Sequence, residues 1–198
     1  IEYDDVMNKQ RENIYGLRRQ LLEGKVRVDE GEALDTRDYL MSLAEDLLDA
    51  AIETYAGPKM DVEEWDLDAL KLDLARVFGL DAEDYAAADF GGKSADEIRD
   101  ALWERIAKKY DAKEEMVGAD LLRRVERDIM LQIVDTQWKD HLYSLDHLKE
   151  GIGLRGYGQR DPLIEYKKEA YAMFTQLMDT IDRETVEMIY RLQISQPP

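Results

Sequence analysis

The chain has 198 residues, of which 44% are hydrophobic, a content typical of a protein that buries a core. Its net charge of −18 argues against nucleic acid as a partner, because clustered basic residues supply most of the affinity for phosphates. Cysteine is absent, which excludes disulfides and thiolate metal sites, and no run of 18 apolar residues occurs, so any membrane contact is expected to be peripheral.

Amphipathic helices dominate the predicted structure of the first 117 residues. Apolar residues recur there at helical spacing in four segments, and no segment alternates as a strand does. The predicted helices cover residues 1–22, 36–56, 66–78 and about 94–110. The intervening residues 25–35, 61–65 and 81–93 are predicted to be turns and loops. Ser94 and Glu97 are spaced as a capping box, which indicates the start of the fourth helix.

Two longer helices follow and are predicted to form a hairpin. The first carries two neighbouring apolar stripes, so it is expected to pack against more than one helix. These stripes are Leu122, Val125, Ile129 and Ile133, and Met130, Val134, Trp138, Leu142, Leu145 and Leu148. The second helix is expected to begin at Asp161, a good capping residue, and Pro162, which fits the first helical position. Trp138 and Tyr166 are predicted to lie in the seam between the two helices.

The turn of this hairpin, residues 151–161, has an unusual composition. Its glycines are expected to end one helix and to turn the chain back within a few residues. They are Gly151, Gly153, Gly156 and Gly158, and between them lie Ile152, Leu154, Arg155 and Tyr157. Residues 149–168 contain five basic and three acidic residues, a balance of +2 in an acidic chain. An aromatic side chain between two glycines has little helix surface to cover, so Tyr157 is predicted to contact another molecule.

The fold class predicted from these patterns is all-α. The acidic surplus supports a division into three parts, since the net charges of residues 1–24, 25–117 and 118–198 are −1, −14 and −3. The first helix and the hairpin are expected to form a three-helix bundle. The acidic middle part is expected to form a small inserted helical domain with its own core.

Three segments partly resemble ligand sites, and their residues favour none of the three. Gly92, Lys93 and Ser94 resemble the end of a phosphate-binding loop, but Ala87 stands where that loop needs glycine. The acidic run 61–73 lacks the glycine and glutamate of a calcium loop. His141 and His147 lie six residues apart on different helix faces, so they are predicted to pack or hydrogen-bond rather than to bind metal or catalyse.

Three stretches resemble the SecA family of bacterial protein-export motors. The stretch from Met130 to Phe174, MLQIVDTQWKDHLYSLDHLKEGIGLRGYGQRDPLIEYKKEAYAMF, is similar to that family's two-helix finger. The opening IEYDDVMNKQRENIY is similar to its long scaffold helix, and WDLDAL lies where its helical wing is found. The resemblance implies helical scaffold for residues 1–24 and 118–198, and a helical wing for residues 25–117.

The resemblance also implies partners and contact residues. The finger tip would contact the SecY channel and the unfolded preprotein through Tyr157, Arg155, Leu154, Ile152 and Gly156. Gln10 and Arg11 would face the remaining motor domains of SecA. The chain would hold no cofactor, and the parent protein would bind ATP and Mg through loops upstream of Ile1. The parent would be cytoplasmic and peripherally associated with the inner face of the bacterial plasma membrane.

A different function remains open on the residues alone. The chain begins at Ile1, without methionine and inside a helical pattern, which indicates a fragment. Since the resemblance places the nucleotide-binding loops upstream of Ile1, this fragment is expected to hydrolyse no ATP by itself. A free-standing helical module, such as an adaptor or chaperone, could instead grip partners through an exposed hairpin flank. The first arm is the discriminating feature, since a complete protein would cover both apolar stripes internally, whereas a fragment or an adaptor would leave one exposed.

Overall fold

The computed structural model describes residues 1–155 and 161–193 of the chain. In this part of the chain, helices account for most of the backbone and two short strands form one small sheet. The elements in order are α1 (Glu2–Glu23), β1 (Lys25–Arg27), β2 (Ala33–Asp35), α2 (Thr36–Ala56), a 3-10 turn (Val62–Glu64), α3 (Leu67–Phe78), α4 (Ala82–Ala88), α5 (Ala95–Val117), α6 (Ala119–Arg155) and α7 (Pro162–Arg191). The all-α prediction is confirmed.

Short polar side chains set the starts of the main helices. Asp35 accepts a hydrogen bond from the Asp38 amide at 2.8 Å and so caps α2. Ser94 accepts one from the Glu97 amide at 3.2 Å at the start of α5, where a cap was predicted. Gly118 separates α5 from α6 with a φ of 91°, a conformation that glycine adopts without steric cost.

Two predictions about the connecting segments were wrong. Residues 25–35 form an antiparallel pair of strands in which Val26 pairs with Leu34. Each strand has only three residues, too few for alternation to be recognised, but the Val26 side chain is buried in the core. Residues 81–93, predicted to be a loop, contain the short helix α4, which Asp81 caps through the amides of Glu83 and Asp84.

The helices α1, α6 and α7 form the expected three-helix bundle, in which α6 and α7 pack against each other over the greatest length. The helices α2 to α5 pack on one end of this bundle rather than around a core of their own. Leu40 and Leu102 from the inserted part belong to the same buried cluster as Trp138 and Ile181 from the hairpin. The expectation of a separate wing core is therefore wrong, because the acidic part shares its apolar face with the bundle.

Among residues 1–155 and 161–193, no helix combines the length and the apolar character that crossing a bilayer requires.

Candidate functional site at the end of the hairpin

The last turn of α6 includes residues that were predicted to lie in the turn. Gly151 and Gly153 are helical, and α6 ends only at Arg155, so the prediction that these glycines end the helix is wrong. A Cβ atom added to either glycine would meet nothing within 4 Å. Neither position therefore needs glycine for packing. Gly156, Tyr157, Gly158 and the rest of residues 156–160 lie outside the described residues.

A small apolar cluster, here called the distal cluster, supports this end of the hairpin. Its buried members are Leu145, Leu148, Ile152, Tyr166 and Ala170. Ile152 is 1% exposed and explains why the helix continues past Gly151, since its side chain would reach water if the chain unwound there. Tyr3 of α1 meets the Tyr166 ring edge to face, with 4.9 Å between centroids. The free end of the hairpin is thus packed by all three helices of the bundle.

A polar bridge lies next to the distal cluster. Gln10 donates from Nε2 to the Ala170 carbonyl at 3.1 Å, and its Oε1 lies 2.7 Å from His141 Nε2. Burial lowers the pKa of His141, so the imidazole is neutral at pH 7 and Nε2 can donate to Gln10. The prediction that His141 would hydrogen-bond is confirmed. Gln10 is buried in the bundle because its amide satisfies two buried partners, and its expected contact with other motor domains stays a prediction.

The other predicted contact residues divide between surface and interior. Leu154 is 81% exposed, whereas Ile152 is enclosed in the distal cluster and is not available to a partner. Arg155 is exposed, and its Nη1 pairs with Glu169 Oε1 on α7 at 2.6 Å, which ties the last turn of α6 to the first turns of α7. Arg11 contacts Asn8 and Met7 on its own helix, so its predicted contact with a motor domain remains a prediction.

Sequence reasoning missed a second surface, on the outer side of α7. Ile164 and Tyr171 are seven residues apart, which places them on one helix face, and they are 62% and 74% exposed. Lys167 and Lys168 lie between them and are exposed. Tyr171 also lines a groove of about 690 Å³ between α1 and α7. The sequence of α7 did indicate this surface, because Ile164 and Tyr171 are large apolar residues that fall outside the buried stripe of the helix.

Among the described residues, no metal centre lies near this end of the hairpin. His147 is exposed on α6, away from the buried His141. Within residues 1–155 and 161–193, no three His, Cys, Asp or Glu side chains converge as a metal site requires. What the geometry provides is a stiff, packed support with a polar and apolar surface, which suits contact with another macromolecule.

Comparisons with known proteins agree with this description. The family model described as "SecA Wing and Scaffold domain" matches residues 1–193. A protein translocase subunit SecA from Syntrophobacter fumaroxidans is 42% identical over 194 residues, which cover 98% of this chain and 22% of that protein. The subunits of the same name from Solibacter usitatus and Koribacter versatilis are 42% and 44% identical over 98% of this chain and 19% of each relative. The chain thus spans about a fifth of the length of these relatives.

Proposed function

The chain belongs to the SecA wing and scaffold family, and we propose that it is the part of a protein translocase subunit that passes motor movement to an exported polypeptide. Its relatives carry the name of that subunit over nearly all of this chain. ATP and Mg would be bound by other parts of the subunit. In this proposal the wing and the base of the bundle hold the hairpin, and the end of the hairpin makes the contact.

The observation that carries this proposal is the support given to the hairpin's free end. Helix α6 has 37 residues and α7 has 30, so the pair is about 45 to 55 Å long. A rod of this length would fray at its end unless side chains packed there. The distal cluster and the ion pair between Arg155 and Glu169 fix that end. Packed helices move as bodies more readily than they bend, so a displacement at the base would reach the tip.

The proposed contact with the SecY channel and with the exported polypeptide is made by the tip residues. Tyr157 makes the main contact in this proposal, because a flat amphipathic ring can meet many side chains without requiring one sequence. Leu154, three positions earlier in the chain, adds an exposed apolar side chain, while Arg155 adds charge. Ile152 has a supporting role in this proposal, since its side chain is enclosed beneath the tip.

The adaptor hypothesis receives no support from the first arm. A fragment or an adaptor was expected to expose one of the two stripes of α6, yet every residue of both stripes is buried or partly buried in the structure. The first stripe contributes Leu122 and Ile133 to the main core, and the second contributes Met130 and Trp138. Both flanks of α6 are therefore occupied within the chain.

The proposal is tested by removing the tyrosine ring in a translocase subunit that carries this chain. With Tyr157→Ala we expect polypeptide transport to fall several-fold while basal ATP hydrolysis and the melting temperature stay unchanged. Transport would be measured as protected preprotein in membrane vesicles. Tyr143→Ala is the matched control, because Tyr143 is 61% exposed on the shaft of α6. Equal loss of transport and ATPase in the Tyr157 variant, or equal loss of transport in the control, would contradict the proposed contact.

A further inference from the structure

A second site lies at the other end of the hairpin, where the wing meets the bundle. A groove of about 420 Å³ opens between the start of α2, the end of α5 and the start of α6. Four of its lining side chains are arginines, which gives the surface its name here, the arginine groove. They are Arg37, Arg123, Arg124 and Arg127. This concentration of positive charge is unexpected in a chain with a net charge of −18.

Acidic side chains pair with only two of the four arginines of the groove. Arg37 lies 2.7 Å from Asp111 and 3.5 Å from Glu114, and Arg123 pairs with Glu114 and lies 3.4 Å from Glu126. The Asp35 carboxylate caps α2 by accepting from the Asp38 amide and keeps its negative charge. The other two arginines have no paired carboxylate, and their guanidinium groups are what a ligand would meet.

Those two cations are Arg124 and Arg127, which form no ion pair and no hydrogen bond with any residue that the structure describes. Arg124 is exposed and Arg127 is partly buried, and they are three residues apart on α6. Residues at this spacing are neighbours on a helix surface, so their like charges repel each other. An anion placed between them would relieve that repulsion.

Uncharged donors complete the site. Thr36 is 8% exposed and lines the groove, and its hydroxyl makes no hydrogen bond to the described part of the chain. Ala119, the first residue of α6, also lines the groove. The first backbone amides of a helix have no acceptor within the helix and carry partial positive charge. The groove therefore combines two unpaired guanidinium groups with a free hydroxyl and free amides.

We infer that the arginine groove binds a phosphate group, either as the free anion or as part of a small phosphate ester. Guanidinium groups present planar pairs of donors that match the oxygens of phosphate. The volume lies within the range of small-molecule sites, roughly 300 to 1,000 Å³. Its lining contains no large apolar side chain among the described residues, so it offers no anchor for a peptide. This inference does not depend on the role proposed for the finger.

The inference is tested by titrating inorganic phosphate into the chain, and into a subunit that carries it, at constant ionic strength. Calorimetry should detect binding in the parent sequence. We expect Arg124→Gln and Arg127→Gln each to weaken it about tenfold, and the double variant to weaken it further, because each loses charge-assisted hydrogen bonds. The matched control is Arg19→Gln, since Arg19 is an exposed arginine on α1 outside the groove, and it should change nothing. Melting temperatures of all variants should match the parent sequence.

Glycerol 3-phosphate distinguishes the two sources of the ligand. Binding as tight as that of inorganic phosphate would identify the ligand as an ester, and failure of the ester alone would identify the free anion. Either result agrees with a phosphate site. Phosphate affinity that is unchanged in the double variant, or a signal that chloride reproduces at the same ionic strength, would overturn the inference.

Discussion

The base of the bundle and its free end are stabilised in different ways. At the base, every helix of the described chain contributes to one continuous hydrophobic cluster. At the free end, only α1, α6 and α7 meet, and five buried residues form the distal cluster within the described residues. Many apolar contacts therefore stabilise the base, whereas the stability of the free end depends on a few.

This difference suits a lever whose base is held firmly and whose end remains accessible. Local stability in proteins follows the density of buried apolar contacts, so the end of the hairpin should open at a lower free energy than the base. The same comparison separates substitutions that unfold the whole chain from those that loosen the tip alone.

The largest effect is expected at the base from Trp138→Ala. Trp138 is 7% exposed and belongs to the main cluster, so its removal should lower the free energy of unfolding by roughly 3 to 5 kcal/mol. Denaturant melts followed by circular dichroism would measure this loss. A change below about 1 kcal/mol would show that the indole does not lie in the seam of the hairpin.

A smaller and local effect is expected from Ile152→Ala. The substitution should cost roughly 2 kcal/mol, because a buried side chain is lost from a cluster with few neighbours that can partly collapse. Hydrogen exchange should accelerate in residues 145–155 and 161–170 while the base stays protected. Leu154→Ala serves as the control, since Leu154 is exposed and its loss should change exchange little. Equal acceleration throughout the chain would refute the independence of the two regions.

The smallest effect concerns a partly buried carboxyl group in the base, that of Asp182. Burial and the neighbouring carboxylates of Asp179 and Asp46 raise the pKa of Asp182 from 3.8 to about 7. A raised pKa means that the folded state holds the proton more tightly, so the stabilisation is complete below about pH 4 and is lost as the pH rises through 7.

Asp182→Asn removes that loss and should raise the free energy of unfolding by about 1 kcal/mol at pH 8, with no gain at pH 3. This gain in the free energy of unfolding is smaller than the full pKa shift of Asp182 would give, because the side chain keeps some contact with water. Asp140→Asn, at an exposed carboxylate of α6, is the matched control. Denaturant melts at both pH values give the comparison, and a gain that is equal at pH 3 and pH 8 would exclude a titrating group as its cause.

Helical periodicity predicted the bundle well because its signals are long and local. The stripe containing Trp138 and the capping pair Asp161 and Pro162 both lie where expected, since Asp161 accepts from the Leu163 amide at 2.9 Å. The two strands and α4 escaped prediction because three to seven residues carry too little periodicity. The shared core escaped it because the residue pattern of a helix reveals an apolar face but not its partner.

The end of the hairpin shows why contact residues are harder to predict than helices. Ile152 and Leu154 are two positions apart, and in a loop both could face a partner. In a helix, two positions correspond to about 200° of rotation, so burying Ile152 exposes Leu154. Their different roles thus follow from the continuation of α6 through Gly151 and Gly153. The glycine-rich composition of this segment had instead predicted that the helix ends there.

Site-specific crosslinking tests the proposed contact most directly. The chain has no cysteine, so in a translocase subunit whose cysteines elsewhere are replaced, a cysteine at position 157 is the only one and can be joined to an export substrate arrested in transit. The matched control is Leu72→Cys, because Leu72 is a 74% exposed side chain on α3 of the wing. We predict a crosslink to the substrate from position 157 and none from position 72. A crosslink from the wing but not from position 157 would contradict the account and favour an adaptor.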